Sequence, residues 1–218
     1  MSRNKALIVL NGEFNLSEEE LKDISKNKDI KKIIAVDGGA EVLKKHCLIP
    51  DCIIGDLDSI SDDTLNYFKD RGVKINKYPA EKNETDSELA VNYCKKNKLE
   101  ELIITGALGG RIDQELANLN LLEYIKFKKM NAKIVDKNIE ISIIDKEKKF
   151  VDKKQYRISL IPQTSVVKNT SISGCKYNLN NKNLLRHKTR GISNLIVEKR
   201  AEIKIEKGLL IYILEKIK

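Results

Sequence analysis

From Lys5 to Asp136 two kinds of segment alternate. Short β-branched apolar runs, at Ala6–Leu10, Lys32–Val36, Cys52–Ile54, Val73–Lys77, Glu101–Thr105 and Ala132–Val135, have the length and composition of strands. Between them, Ser17–Lys26, Ala40–His46, Ser61–Asp70, Thr85–Asn97 and Asp113–Lys128 place apolar residues at helical spacing. Such alternation predicts βαβ units, and so a doubly wound, mostly parallel sheet covered on both faces. Right-handed crossovers then bring every strand-to-helix turn to the carboxyl edge of the sheet.

After Asp136 the rhythm changes. Strand-like pieces at Glu140–Ile144, Tyr156–Ile161, Ser171–Ser173, Ile192–Val197, Ala201–Ile205 and Leu209–Leu214 follow one another through Asn, Gly, Lys and Ser. None has helical period, which predicts a compact all-β domain, a sandwich or a small barrel. The expected organisation is α/β over residues 1–132 and β-sandwich over 133–218, with no linker and no fixed-period repeat.

Composition narrows the functional classes. Of 218 residues, 41% are hydrophobic and 33% charged, with three prolines, which excludes collagen-like and wholly disordered chains. No apolar run approaches the ~18–20 residues that span a bilayer, so no membrane partner is expected. The opening MSRNKALIVLNGEF continues into Asn11, Glu13 and Asn15 without a small-residue cleavage site, and reads as a first strand of a cytoplasmic protein. Cys47, Cys52, Cys94 and Cys175 form no C-x-x-C, and His46 and His187 stand far apart, so free thiols are expected in place of zinc or disulfides. The net charge of +9 comes mostly from scattered lysines without interleaved aromatics, a solvated coat rather than a nucleic-acid surface.

Four turns at the predicted carboxyl edge carry the chemistry. Asp37-Gly38-Gly39 closes a strand and turns tightly into a helix whose N–H groups suit a phosphate or hydroxyl, unless Asp37 simply caps the helix. In Gly55-Asp56-Leu57-Asp58-Ser59 two carboxylates one residue apart point the same way if the chain is extended. Their repulsion calls for a hard divalent cation, and Mg²⁺ takes one or two carboxylates plus substrate phosphates; the structural alternative is a helix cap at Asp58 or Ser59. Thr85 with Glu88 fits a capping box, while Asp86 suits the first helical turn and Lys82 stands just ahead of it. The last turn, Gly106-Ala107-Leu108-Gly109-Gly110-Arg111-Ile112-Asp113, is neither a dinucleotide fingerprint nor a P-loop. Together these turns predict a metal cluster of Asp56, Asp58, Asp86 and Asp113, with Arg111 and Lys82 facing phosphate, outside the strand ends where such sheets bind ligands.

The same residues resemble the thiamine pyrophosphokinase family. The matching pieces are DGGA (Asp37–Ala40), DCIIGDLDSI (Asp51–Ile60), Thr85-Asp86, GALGGRIDQELANL (Gly106–Leu119), GCKYNLNN (Gly174–Asn181) and RGISN (Arg190–Asn194), in order over nearly the whole chain. The resemblance implies diphosphate transfer from ATP to the hydroxyl of thiamine, with release of AMP. It implies an N-terminal ATP domain with Mg²⁺, in which Asp37, Gly38, Gly39, Lys82, Thr85, Gly109, Gly110 and Arg111 contact ATP. The catalytic set it implies is Asp56, Asp58, Asp86, Asp113 and Arg111. In the C-terminal domain it implies Tyr177, Ser193 and Asn194 as thiamine contacts, in a homodimer with sites at the subunit interface. Asn83 and Gln114 depart from the family's usual Asp and His, and with no Trp in the chain Tyr177 is left to supply the aromatic face. A diphosphokinase for another primary alcohol and a non-catalytic nucleotide sensor are the alternatives.

Overall fold

The computed structural model describes residues 4–217 and divides into two units, Met1–Lys137 and Asn138–Lys218. The division falls beyond the boundary expected from sequence, because the strand at Asn131–Asp136 pairs into the first unit.

In the first unit, β1 (Lys5–Val9), β2 (Ile30–Val36), β3 (Cys52–Gly55), β4 (Lys74–Lys77), β5 (Glu101–Thr105) and β6 (Asn131–Asp136) alternate with helices. The helices are α1 (Glu18–Ser25), α2 (Gly39–Lys45), α3 (Asp62–Lys69), α4 (Asp86–Lys96) and α5 (Ile112–Phe127). Within this unit the strand order is β6-β5-β1-β2-β3-β4, and every pair is parallel. Residues of both parities along β1 and β3 are buried, as a sheet covered on both faces requires. Leu7, Val9, Ala35 and Ile53 pack with Leu21, Leu43 and Phe68 of α1, α2 and α3; α4 and α5 pack on each other and against β2, β3 and β6. Each such Leu, Ile or Phe buried from water contributes about 1.5–3 kcal/mol.

The order places a switch point beside β1. The chain steps outward from β1 to β4, then returns to the other side of β1 as β5. Crossovers leave β1 and β5 in opposite directions, so a crevice opens at their carboxyl ends.

The second unit is antiparallel. One sheet has the order β12-β9-β14-β7, from β7 (Ile139–Ile144), β9 (Tyr156–Pro162), β12 (Asn194–Leu195) and β14 (Leu210–Lys216). The other is β11-β10-β13-β8, from β8 (Glu147–Val151), β10 (Val166–Ser173), β11 (Leu179–Leu185) and β13 (Arg200–Lys204). Ile144, Ile158, Leu160, Leu210 and Leu214 of the first sheet share a core with Val167, Ile172, Leu184 and Ile203 of the second. Phe150 meets Tyr212 edge-on across it, with ring centroids 5.2 Å apart. This is a sandwich.

Candidate active site

A cleft of about 700 Å³ lies in the first unit at the switch point. Its walls come from the segments after β1 (Leu10, Asn11, Gly12), after β3 (Asp56, Asp58, Ser59) and after β5 (Gly106, Ala107, Gly109, Arg111), together with Asp37. The first turns of α4 (Asp86, Ser87, Glu88) and a face of α5 (Gln114, Ala117, Asn118, Tyr124) complete it. Such a volume suits a nucleotide-sized ligand.

Two backbone approaches build the floor. Gly106 takes φ 67°, and a Cβ there would lie 2.4 Å from the Leu10 carbonyl oxygen. A Cβ on Gly39 would lie 2.1 Å from the Val9 carbonyl oxygen. Both contacts reject any side chain, which lets the turns after β1, β2 and β5 close on one another. Gly38 and Gly39 thus serve packing and do not line the cleft; Gly110 and Asp113 do not line it either, while Gly109, Lys82 and Thr85 do.

Three carboxylates meet at one wall. Asp37, Asp56 and Asp58 each offer an oxygen within 4.8 Å of the others. Asp37 sits in a left-handed turn (φ 47°), and so does Leu57 between the other two (φ 72°), an uncommon conformation for a bulky side chain. Burial pushes the Asp37 carboxyl above the ordinary carboxylate range and the negative charge of Asp58 adds to this, while hydrogen bonds from Ser59 oppose it. The Ser59 N–H lies 3.4 Å from Asp37 Oδ1, and the Asp58 N–H donates to Asp56 Oδ1 at 3.2 Å. An all-oxygen set of crowded carboxylates, one of them driven toward protonation, fits a hard divalent cation. Neither Asp58 nor Ser59 caps α3: Ser61 does, accepting from the Thr64 N–H at 3.2 Å. Nor does Asp37 cap α2, whose N-cap is Gly38 with no side-chain bond.

The other two aspartates of the sequence-based quartet stand apart from this trio. Asp86 pairs with Lys82, Nζ to Oδ1 at 3.1 Å, and the same ammonium lies 4.0 Å from Asp56 Oδ2 and donates to the Pro79 carbonyl at 3.0 Å. Asp86 Oδ1 is buried with no aligned hydrogen bond, so only the Lys82 charge compensates it. Lys82 therefore lies among carboxylates at the cleft, bridging two acidic turns. Asp113 is exposed and takes Arg111 in a two-point ion pair (2.6 and 3.1 Å), which lowers the pKa of its carboxyl and raises that of the guanidinium. Thr85 accepts from the Glu88 N–H at 3.2 Å and caps α4.

In the second unit Asn194 is 7% exposed and bonds to its neighbours. Its Oδ1 accepts from the N–H groups of Tyr177 (3.0 Å) and Leu195 (2.9 Å), and its Nδ2 donates to the Tyr177 carbonyl (2.7 Å). With both of these Oδ1 bonds and this Nδ2 bond made within the protein, Asn194 fastens the turn that carries Tyr177. The Tyr177 ring is 63% exposed, with the Lys176 ammonium 5.6 Å from its centroid. Ser193 is exposed in a left-handed conformation (φ 58°), and its N–H donates to Ser159 Oγ at 3.0 Å.

Sequence reasoning missed Asn11 and Gly12 as cleft residues and Asp37 as a member of the carboxylate trio. The Asn-Gly pair directly after the first strand was the available signal, since a turn there must reach the carboxyl edge.

Fold and cleft define a class: an α/β unit with acidic turns around the switch point of a parallel sheet, followed by an antiparallel sandwich. The family model for the thiamin pyrophosphokinase catalytic domain matches residues 22–135, and that for its vitamin B1 binding domain matches residues 140–210. The chain belongs to the thiamine pyrophosphokinase family, whose enzymes transfer diphosphate to thiamine. It is 32% identical to thiamine pyrophosphokinase of Bacillus subtilis over 184 residues, covering 83% of this chain and 85% of that protein. A crystal structure of thiamine pyrophosphokinase from Bacillus subtilis superposes with a TM-score of 0.87 at 27% identity, over 97% of this chain and 99% of that one. The yeast thiamin pyrophosphokinase structure shares the fold at 18% identity, with a TM-score of 0.85 over 100% of this chain and 87% of that one.

Proposed function

We propose that the cleft of the first unit is where ATP binds and where its terminal diphosphate passes to thiamine. The thiamine hydroxyl oxygen bonds to the β-phosphorus, the bond from that phosphorus to the α,β-bridging oxygen breaks, and AMP leaves with that oxygen. Such transfers rest on alignment and charge neutralisation more than on covalent chemistry by the protein. The meeting of three carboxylates at one wall of a nucleotide-sized cleft carries the reading.

Asp37, Asp56 and Asp58 hold Mg²⁺ in this proposal, and bound there the ion supplies positive charge against the phosphate oxygens. Asp86 belongs to the same site through Lys82: it keeps the ammonium at the cleft wall, where a phosphate can take it up. Arg111 turns from Asp113 to phosphate, exchanging one charge-assisted pair for another, and Thr85 and Gly109 line the nucleotide's path. One of the cleft aspartates accepts the hydroxyl proton. Tyr177 offers its ring face to the thiazolium cation and Ser193 its hydroxyl to the heterocycle.

The protein is further proposed to be cytoplasmic and to act as a homodimer in which each reaction site draws on both copies. No described helix is long and apolar enough to cross a membrane. Ile112 and Leu116, in the opening turns of α5, are 69% and 55% exposed, an apolar face that a second copy would cover. Incubation with ATP, Mg²⁺ and thiamine is expected to yield AMP and thiamine diphosphate in equal amounts. ADP as the sole nucleotide product would overturn this reading.

A further inference from the structure

The carboxylate trio comes from two separate turns, and their direct connections are few. Asp37 stands between β2 and α2; Asp56 and Asp58 stand between β3 and α3. The Asp37 N–H donates to the Ile54 carbonyl at 2.9 Å, below the turns, and the Ser59 contact to Asp37 is long at 3.4 Å. What joins the two turns at close range is Glu41, in the first turn of α2. Its Oε1 accepts from the Ser61 N–H (2.8 Å) and the Ser61 hydroxyl (2.7 Å), and its Oε2 accepts from the Thr64 hydroxyl (2.6 Å). Thr64 is buried, and its hydroxyl also accepts from the Lys44 ammonium at 3.2 Å. Burial alone would raise the pKa of the Glu41 carboxyl, but hydrogen bonds from Thr64 and Ser61 outweigh it and hold the group below the ordinary carboxylate range. The bonds thus favour the ionised form of the brace and are the short, charge-assisted kind.

Glu41 does not line the cleft. It grips the N-cap of α3, just past the Asp56–Asp58 turn, from a helix that begins just past Asp37. We propose that Glu41 is a positioning residue for diphosphate transfer, setting the separation of the Asp37 turn from the Asp56–Asp58 turn and so the spacing of the three carboxylates. The proposal rests on the reading that these carboxylates hold the metal. Partners one step behind metal ligands commonly change affinity by about 10–100-fold when removed.

The test uses the full chain with Mn²⁺ alone, its binding followed by loss of the free-ion paramagnetic resonance signal, alongside Tm and the Mg²⁺ dependence of the reaction. Glu41→Ala is expected to weaken Mn²⁺ binding about tenfold and to raise the half-saturating Mg²⁺ by a similar factor, with turnover largely restored at saturating Mg²⁺. Glu41→Gln keeps an acceptor oxygen for Ser61 and is expected to recover most of the affinity. Thr64→Val removes the Oε2 contact, and with it the Lys44 contact to the same hydroxyl, but leaves both Ser61 bonds to Glu41; it should give a smaller shift in the same direction, which keeps the test open if Glu41→Ala fails to fold. A lowered Tm with wild-type Mn²⁺ affinity in both Glu41→Gln and Thr64→Val, and in Glu41→Ala if it folds, would reduce Glu41 to a helix-packing role and overturn the proposal. Wild-type Mn²⁺ binding that Asp58→Asn leaves untouched would instead overturn the reading of the carboxylates, and the positioning role with it.

Discussion

Asp37 combines properties that conflict in a metal-free protein: it is partly buried, beside another carboxylate, and in a left-handed turn. Because folding raises its pKa, its contribution to stability is fully present below the ordinary Asp value near pH 3.9 and is lost as pH rises through the raised value. Asn tolerates the left-handed conformation and carries no charge. Asp37→Asn is therefore expected to raise Tm near neutral pH without Mg²⁺, with the difference fading toward pH 4, while activity falls by about tenfold or more. Thermal melts across that pH range check it; an unchanged or lowered Tm at neutral pH contradicts the account. Asn194 presents the opposite case, a buried polar residue whose amide bonds both backbone groups of Tyr177. Asn194→Ala leaves the Tyr177 N–H and carbonyl without partners, and calorimetry should register a loss of about 1–3 kcal/mol. The thiamine KM should rise as well, because the Tyr177 turn is released, and a KM shift without a stability loss would mean that Asn194 touches substrate directly.

At the scale of elements, caps separate structure from chemistry. Ser17 at α1 forms a complete capping box, accepting from the Glu20 N–H (3.2 Å) while Glu20 Oε2 accepts from the Ser17 N–H (2.8 Å). Ser17 does not line the cleft. Ser17→Ala should cost about 1 kcal/mol, a fall in Tm of about 2–4 °C, with turnover unchanged; altered turnover would show that α1 couples to the site. The helices and parallel strands of the first unit were legible in sequence to within a residue or two, because strands buried on both faces form apolar runs set off from helices by caps and glycines. In the sandwich, β8 and β11 escaped notice, for in EKKFV and LNNKNLL most side chains face solvent and no apolar alternation survives. The extent of β10 was also underread, since Lys168 and Asn169 interrupt its apolar positions. The acidic turns were legible from their residue types. Which of them meet was not: the joining of Asp37 to Asp56 and Asp58 depends on turns far apart in sequence, and the pairing of Asp113 with Arg111, two residues before it, on the local backbone that aims the two side chains together.

At the scale of the whole molecule, the residues proposed to act on ATP and those proposed to hold thiamine belong to different units of the chain. Asp58 lies in residues 1–137; Tyr177 and Ser193 lie in residues 138–218. If each reaction site draws on both copies of a twofold dimer, the two groups can be damaged separately and recombined. An Asp58→Asn chain and a Tyr177→Ala, Ser193→Ala chain are each expected to be nearly inactive. In a fully exchanged equal mixture half the dimers are hybrids, and each hybrid holds one site with both defects and one with neither. Activity should therefore return to roughly a quarter of the wild-type rate. Exchange must be verified independently, by mass spectrometry of differently tagged chains, and the wild-type protein should run as a dimer in sedimentation at the assay concentration. Recovery near a quarter would also locate the exposed apolar face of Ile112 and Leu116 as a surface to probe, since Leu116→Lys should then weaken both dimerisation and rate together. No recovery after proven exchange would mean that each chain carries a complete site of its own.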